Sequence, residues 1–205
     1  MLFRSNRRLL AASANGNLFV EDWMGSVKQV SSSLTLASDR SIQATQRLQK
    51  LYIADVGEWK AAGTSTGARG SGNAKFDATG VSDWTTLGID TDDDLLVIYN
   101  SSNTTTLLEG TYKISSVASG ELTLTTDCAT TSGATCSWCI TRAPKVYDHA
   151  TATLSQWTAT ANKGFVPPFQ PIITMYRDRL VLAGGSDSPH LWYMSRQGDP
   201  LDWDY

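Results

Sequence analysis

Four aspartates, at positions 90, 92, 93 and 94, form the densest acidic run in the sequence. Aspartates at alternate positions can begin a calcium-binding loop, because carboxylate oxygens are the ligands that Ca²⁺ prefers. An EF-hand loop that started at Asp90 would need Gly at its sixth position and Glu at its twelfth, where Leu95 and Ser101 stand. We therefore interpret the run as a solvated turn before the strand-like LLVIYN and predict no calcium site.

Three cysteines, Cys128, Cys136 and Cys139, lie close together in the sequence. A structural zinc site needs four ligands, and the sequence has two histidines, His149 and His190, and no second CxxC. The odd number of cysteines argues against a secreted disulfide framework. We expect small buried side chains in a reducing compartment; their redox state stays open.

Two further types of site, a phosphate-binding loop and a glycosidase pair, have no diagnostic motif in the sequence. The glycine-rich segment 61–75 lacks the Gly-Lys-Ser/Thr ending of a phosphate-binding loop, because Asn73 follows Gly72, so we interpret it as a linker. A glycosidase would need a pair of carboxylates across a cleft, and sequence spacing does not show which pair could face one. The candidates for such a pair are Asp55, Glu58, Asp148 and Asp199. We predict no catalytic, cofactor-binding or metal-binding residues and no enzyme activity.

The composition favours strands joined by polar turns. Hydrophobic residues make up 41% of the 205 residues and charged residues only 18%, with seven Trp and seven Tyr that suit half-buried sheet faces. The net charge of −3 provides no field that would hold nucleic acid tightly, apart from Arg4, Arg7 and Arg8 at the start. No apolar run reaches the roughly 18 residues of a membrane helix, so no membrane anchor is predicted.

Short strands in hairpins are predicted along the chain. Asn15-Gly16 is a preferred hairpin turn between RRLLAAS and NLFVED. Segment 42–51 is compatible with a strand or a short helix, and we favour the strand. In the last third, MYRDRLVLAG is predicted as one strand, the segment Gly184–Pro189 as its turn, and HLWYMS as the returning strand. Arg177 or Arg179 is expected to brace the turn GDPLD through its carboxylates.

Similar units recur along the chain. NLFVED, KLYIAD, KVYDHA and HLWYMS are each followed by a Trp, at Trp23, Trp59, Trp157 and Trp203. The first and last pairs of units are 33 and 45 residues apart, which brackets the size of a propeller blade, and the middle interval of 95 indicates an insertion. We predict an all-β fold of partial, propeller-like sheet units, at 1–62 and 142–205, with a small β-barrel or sandwich domain inserted at 63–141. The second propeller-like part is expected to be incomplete within this chain.

The order YRDRLVLAG, a Ser-Pro turn, a strand and MSRQGDPLDW resembles the tail tubular or nozzle proteins of short-tailed bacteriophages over Arg177–Trp203. The resemblance implies a non-enzymatic structural component of the virion tail, which forms part of the conduit for genome ejection and is assembled in the host cytoplasm. Implied partners are other copies in a ring, with six as the expected number, and neighbouring adaptor and tail proteins. DNA would pass through the lumen without specific binding.

Two other functions remain open. A glycan-binding or host-receptor-binding β module would present Trp84, Tyr99 or Trp138 to a sugar face. A propeller glycosidase would use two of the carboxylates named above, about 5–10 Å apart.

Overall fold

The computed structural model describes residues 10–12, 15–21, 24–38, 41–55, 60–66, 72–130, 134–160, 163–186 and 189–204. In these ranges every regular element is a β-strand, apart from one turn of 3-10 helix at Trp84–Leu87, so the prediction of an all-β fold is confirmed. The strands form four antiparallel sheets in the described part of the chain.

The first sheet has the order β1-β2-β3 and begins with the predicted hairpin. Its strands are β1 Leu10–Ala12, β2 Leu18–Glu21 and β3 Val27–Gln29. Gly16 in the turn has φ +74°, which suits glycine, and a Cβ there would lie 2.6 Å from the carbonyl oxygen of Leu36. That carbonyl belongs to the segment that follows β3 and runs back beside β2.

The middle sheet has the order β13-β12-β5-β4. Its strands are β4 Gln43–Arg47, β5 Lys50–Ala54, β12 Lys145–Asp148 and β13 Thr153–Gln156. Segment 42–51 is therefore a strand that turns into the next strand, as we favoured. Strands β5 and β12 pair in register from Ile53 with Lys145 to Lys50 with Asp148, although about 90 residues separate them in sequence. The sheet therefore resumes after the residues between them.

A six-stranded, curled sheet is built from those intervening residues, in the order β6-β11-β8-β9-β10-β7. Its strands are β6 Ala61–Thr66, β7 Lys75–Phe76, β8 Asp94–Tyr99, β9 Gly110–Val117, β10 Leu122–Leu124 and β11 Thr135–Arg142. The backbone N–H of Thr79, beyond β7, donates to Ser65 Oγ at 3.1 Å and so joins the two edges of the sheet. Its concave face encloses an apolar cluster of its own around Phe76, Trp84 and Trp138.

Two sequence interpretations in this region were wrong. Residues 61–66 were assigned to a linker but form β6, which pairs along six positions with β11 because its small side chains suit an edge strand. The run WTTLGID, which begins at Trp84, indicates one of the short strands of the predicted inserted domain, but its first four residues form a 3-10 turn. Asp83 caps that turn by accepting the N–H of Thr85 at 2.9 Å, and Gly88 ends it with φ +64°.

The third sheet has the order β14-β15-β16, with strands β14 Ile172–Tyr176, β15 Arg179–Ala183 and β16 Trp192–Met194. MYRDRLVLAG is therefore a hairpin and not one strand. Tyr176 pairs with Arg179, and the two residues between them, Arg177 and Asp178, have φ of +47° and +61°. Positive φ at both central residues matches the right-handed twist of a hairpin, and neither side chain is the usual Asn or Gly.

The first, middle and third sheets pack face to face because side chains alternate along β5. Ile53 joins Leu18 and Val20 of the first sheet in one cluster. Tyr52 and Ala54, on the opposite face, join Leu180 and Leu182 of the third sheet in another. The middle sheet is thus covered on both faces, and we call the three sheets together the stack.

We expect Gly164→Ala to destabilise the protein more than Gly88→Ala. Both glycines have nearly the same φ, +68° and +64°, so both substitutions incur the left-handed strain of about 1–2 kcal/mol. A Cβ at Gly164 would also lie 2.8 Å from the backbone of Trp203, whereas Gly88 has open space. Urea denaturation should show an extra loss of about 1–3 kcal/mol for the first variant. Equal losses would contradict the close approach of the backbone at Trp203.

Candidate functional site

The junction of the stack and the six-stranded sheet holds a buried ionic group, which we call the junction cluster. It consists of Asp55, Asp93, Arg142 and Lys145. Lys145 Nζ lies 2.6 Å from Asp55 Oδ2 and 3.2 Å from Asp93 Oδ1, and all three side chains are at most 2% exposed. Arg142 Nη2 lies 3.2 Å from Asp55 Oδ2 and 3.5 Å from Asp93 Oδ2. Two cations therefore neutralise two carboxylates away from water.

The members of the junction cluster lie at the ends of four different strands. Asp55 follows β5 and Lys145 begins β12, so both belong to the middle sheet. Asp93 directly precedes β8, and Arg142 ends β11, so both belong to the six-stranded sheet. The ion pairs therefore join the two points at which the chain leaves and re-enters the middle sheet.

Backbone groups satisfy the remaining oxygens of the junction cluster and attach the first sheet to it. The N–H of Ala37 donates to Asp55 Oδ1 at 2.8 Å. The N–H of Thr35 donates to Asp93 Oδ1 at 3.0 Å, and the Thr35 hydroxyl donates to Asp93 Oδ2. Arg142 in turn donates to the carbonyl oxygen of Thr35. The segment after β3 is thereby fixed to both neighbouring sheets.

The pKa of Asp93 reflects opposing effects. Burial by itself raises the pKa of this carboxyl, because it penalises the charged form. The charges of Lys145 and Arg142 and the two hydrogen bonds from Thr35 outweigh burial and hold the pKa below its ordinary value. Asp93 is therefore a carboxylate at neutral pH, and the arrangement is a structural ion pair rather than a proton donor for catalysis.

The acidic run at 90–94 was interpreted as a solvated turn, but Asp93 and Asp94 are buried, and three of its aspartates have separate roles. Asp90 accepts the N–H groups of Asp92 and Asp93, at 2.9 and 3.3 Å, as a turn residue. Asp93 belongs to the junction cluster. Asp94 is buried, pairs with Lys60 at 2.7 Å and accepts the N–H of Asp90 at 2.7 Å. Within the described ranges no group of three or more His, Cys, Asp or Glu side chains could hold a metal ion.

The cysteines are buried, unpaired by disulfides and separated by the pleat of β11. Cys136 packs in the apolar cluster of the six-stranded sheet, whereas Cys139, an odd number of residues further along the strand, lies on its other face. Burial raises the pKa of Cys128 to about 12 and that of Cys136 to about 11, so these two thiols are protonated at neutral pH.

The carboxylates considered for a glycosidase do not all meet. Asp55 is in the junction cluster, and Glu58 lies outside the described residues, as do Arg4, Arg7 and Arg8. Asp148 and Asp199 do line one surface pocket of about 580 Å³ with Tyr52 and Arg47. The Asp148 carboxylate accepts the N–H of Ala150 at 2.9 Å and forms an ion pair with Lys50 at 3.3 Å. The hydrogen bond from Ala150 is the main cause that lowers the pKa of Asp148. Asp148 is therefore ionised at neutral pH and would not supply a proton to a substrate.

Two of the three aromatic side chains considered for a sugar platform are buried. Trp84 and Trp138 are 0% and 2% exposed and pack with Phe76 in the core of the six-stranded sheet. Tyr99 is half-buried at the end of β8. The tryptophans that the sequence suggested for glycan binding are therefore core residues, because the curled sheet places them on its concave face.

Contrary to our expectation, neither Arg177 nor Arg179 braces the carboxylates of the turn GDPLD; Asp202 pairs instead with Lys163 at 2.7 Å and with Arg196 at 3.4 Å. Arg47, at the end of β4, lies 2.8 Å from Asp178 and donates to the carbonyl oxygen of Gly198 at 2.8 Å. Arg179 instead donates to the carbonyl oxygen of Ser195 at 3.0 Å, and Arg177 lies over the Tyr176 ring. No local sequence signal marks Arg47, because its partners are more than 130 residues away.

Two tryptophans anchor the same turn from inside. Trp157 and Trp203 both donate their indole N–H to the carbonyl oxygen of Pro200, at 3.2 and 3.0 Å. Their rings meet edge to face, 5.6 Å apart, and Tyr52 packs on Trp157 at 4.9 Å. Trp157 and Trp203, which each follow one of the repeated units, thus complete the apolar cluster between the middle and third sheets.

The outer face of the third sheet, unlike the buried interior, carries large apolar side chains that are exposed to solvent. Trp192, Tyr176 and Ile172 are 60%, 52% and 47% exposed there, whereas Leu180 and Leu182 on the inner face are at most 1% exposed. Large exposed apolar side chains that share one sheet face mark an interaction surface. No helix in the described ranges is long and apolar enough to cross a membrane.

Comparison of the chain with protein-family models, curated proteins and solved structures gave no match.

We expect Lys145→Met to lower the free energy of unfolding by about 3–5 kcal/mol, because it leaves two buried carboxylates with one cation. Lys50→Met is the matched control, since Lys50 lies in the neighbouring strand and pairs with Asp148 at the surface. It should lower the free energy by less than about 1 kcal/mol. Denaturation of both variants at pH 7 measures the difference. Similar losses would show that the junction cluster contributes no more than a surface ion pair.

The junction cluster also predicts acid sensitivity. The folded-state pKa of Asp93 lies below its unfolded value of about 3.9, so its contribution to stability is complete above about pH 5. The contribution is lost as the pH falls through the folded-state pKa. Asp93→Asn should therefore be less stable than the native chain at pH 7 and should show a smaller further loss between pH 5 and pH 2. A loss as steep as that of the native chain would contradict this assignment.

Proposed function

We propose that this chain is a structural component of a bacteriophage tail, in the nozzle or tail-tube ring that conducts the genome during ejection. The observation that carries the proposal is the stack. Three antiparallel sheets pack face to face, and the middle one is covered on both sides. Successive sheets that share faces in this way are the building principle of a β-propeller, the architecture that the resemblance of Arg177–Trp203 implies.

In this proposal each sheet of the stack is a propeller-like blade, and the six-stranded sheet is an inserted domain. The chain leaves the middle sheet after β5 and returns to it in β12, and these two strands are hydrogen-bonded neighbours. The residues between them have their own apolar cluster. A unit of this kind can project from the stack without changing how the blades pack. The junction cluster then holds the projecting unit in a fixed orientation.

The polar groups described above favour a scaffold over an enzyme. Buried carboxylates at Asp55, Asp93 and Asp94 are each neutralised by a nearby cation, at distances of 2.6 to 3.5 Å. A catalytic pair instead needs carboxyl groups with separated pKa values that face a substrate cleft. The net charge of −3 suits a conduit that DNA passes without being retained.

Glycan binding is the second candidate, and a glycosidase the third. The pocket that contains Asp148 and Asp199 is the place where either would act. A glycan array and a hydrolysis assay with Asp199→Asn as the control would detect them. A specific glycan signal that this substitution abolished would favour the alternative function over the tail component.

The direct experiment is quantitative mass spectrometry of purified phage particles that contain this protein's gene, combined with antibody labelling in electron microscopy. We expect the chain in every particle, in a fixed number of copies relative to the portal protein, with the label on the tail. Absence from the particles, or a label confined to the capsid shell, would contradict the proposal. Salt-washed particles serve as the control, because a protein that merely adheres to the surface would be removed.

A further inference from the structure

The third sheet presents an outer face that no described residue covers. Its rows follow from the register: Ile172, Ala183 and Trp192 lie side by side, and Thr174, Val181 and Met194 form the next row. Three of these side chains, together with Tyr176 at the strand end, are exposed. The inner face of the same sheet is apolar and is buried against the middle sheet. The outer face also carries large apolar side chains, so it resembles a surface on which a second sheet could pack.

The opposite end of the stack presents a second such face. In the first sheet, Leu18 and Val20 point to the middle sheet, and Phe19, Glu21, Val27 and Gln29 share the other face. Val27 is 53% exposed, and Met24, in the turn between β2 and β3, is 68% exposed. The stack therefore ends in apolar side chains on both sides.

Both internal joints of the stack are contacts between the faces of antiparallel sheets. The joint between the first and middle sheets uses Leu18 and Val20 against Ile53 and Tyr147. The joint between the middle and third sheets uses Tyr52 and Trp157 with Leu180 and Leu182. An occupant that continues the series is therefore another antiparallel sheet with apolar side chains on one face.

The first sheet of a second copy fits this description, and the charges of the two faces are complementary. The third sheet carries Arg179 on its outer face, and Arg177 in the adjoining turn. The first sheet carries Glu21 on its outer face, opposite Val27. A contact between two third sheets would instead bring like charges together, which disfavours a symmetric dimer.

We propose that the outer face of the third sheet docks on the outer face of the first sheet of a second copy of this chain. The contact is head to tail, so each copy keeps one face for the next, and copies close into a ring if the rotation per step allows it. This inference rests on the proposed function, because it names the surfaces through which copies of a ring component would meet.

The test is crosslinking between two singly substituted variants, Thr174→Cys and Gln29→Cys, that carry different tags. Both positions are exposed and lie on the two outer faces. The native cysteines Cys128, Cys136 and Cys139 are buried, so they contribute little background. We expect a disulfide between the two differently tagged chains on mild oxidation. Thr104→Cys, in an exposed turn of the six-stranded unit, is the control and should not crosslink with either variant.

Sedimentation velocity across a range of concentrations provides the second measurement. Trp192→Ser should raise the dissociation constant for self-association about tenfold or more, since exposed Trp residues are typical anchors of interfaces. Leu48→Ser is the matched control, because Leu48 is 78% exposed but lies at the β4–β5 hairpin tip. It should leave the association unchanged.

Three results would overturn the inference: crosslinks of Thr174→Cys only with itself, crosslinks equal to those of the Thr104→Cys control, or a native chain that is monomeric at every concentration. These outcomes are separable from failure of the proposed function. A chain that is present in virions but does not crosslink head to tail would retain its tail role and lose this contact. A chain that crosslinks but is absent from virions would do the reverse.

Discussion

The buried contact of Lys145 with Asp55 and Asp93 is the constraint on which the rest of the structure depends. A lysine that is fully buried can stay charged only if carboxylates stand beside it, and here two of them lie at 2.6 and 3.2 Å. The carboxylates come from the residue after β5 and the residue before β8, so the lysine forms its contacts only when the middle sheet and the six-stranded sheet are both in place. Arg142 and the backbone of Thr35 extend the same requirement to the segment after the first sheet.

This arrangement explains how a long excursion of the chain can leave a sheet and return to it without loosening it. Strands β5 and β12 pair with each other, and the ends of the excursion are held at the point of departure by charge as well as by hydrogen bonds. Buried apolar side chains stabilise each side of the junction separately, with one cluster in the six-stranded sheet and two in the stack. We infer that these ion pairs, which are also hydrogen bonds, fix an orientation that apolar packing by itself would leave less defined.

Local chemistry made much of the fold predictable. The Asn15-Gly16 turn marked the first hairpin, and the 95-residue interval between KLYIAD and KVYDHA indicated an insertion at the place where the chain leaves β5 and returns in β12. The misassigned elements also have local causes. Residues 61–66 are rich in Gly, Ser and Thr, which are as common in linkers as in edge strands, and the Arg177–Asp178 turn contains neither Gly nor Asn.

The interactions that organise the junction were beyond the reach of a single sequence. Asp55 and Asp93 were both singled out, but as a possible catalytic acid and as part of an acidic turn, because their partner Lys145 is 90 residues from Asp55. Arg47 likewise finds Asp178 across 131 residues. Spacing along the chain carries information about neighbours within a helix or hairpin, whereas these pairs are set by sheet packing. The exposed face of the third sheet was equally hidden, since alternation shows that a strand has two faces but not which one has a partner.

We infer that the junction cluster makes the stack and the six-stranded sheet one cooperative unit. Native-state hydrogen exchange of backbone amides in β5 and β12, compared with those in β8 and β11, measures this most directly. We predict that the slowest amides of both sheets exchange with the same free energy of opening in the native chain, and with two different free energies in Lys145→Met. Two distinct free energies in the native chain, unchanged by the substitution, would contradict the claim.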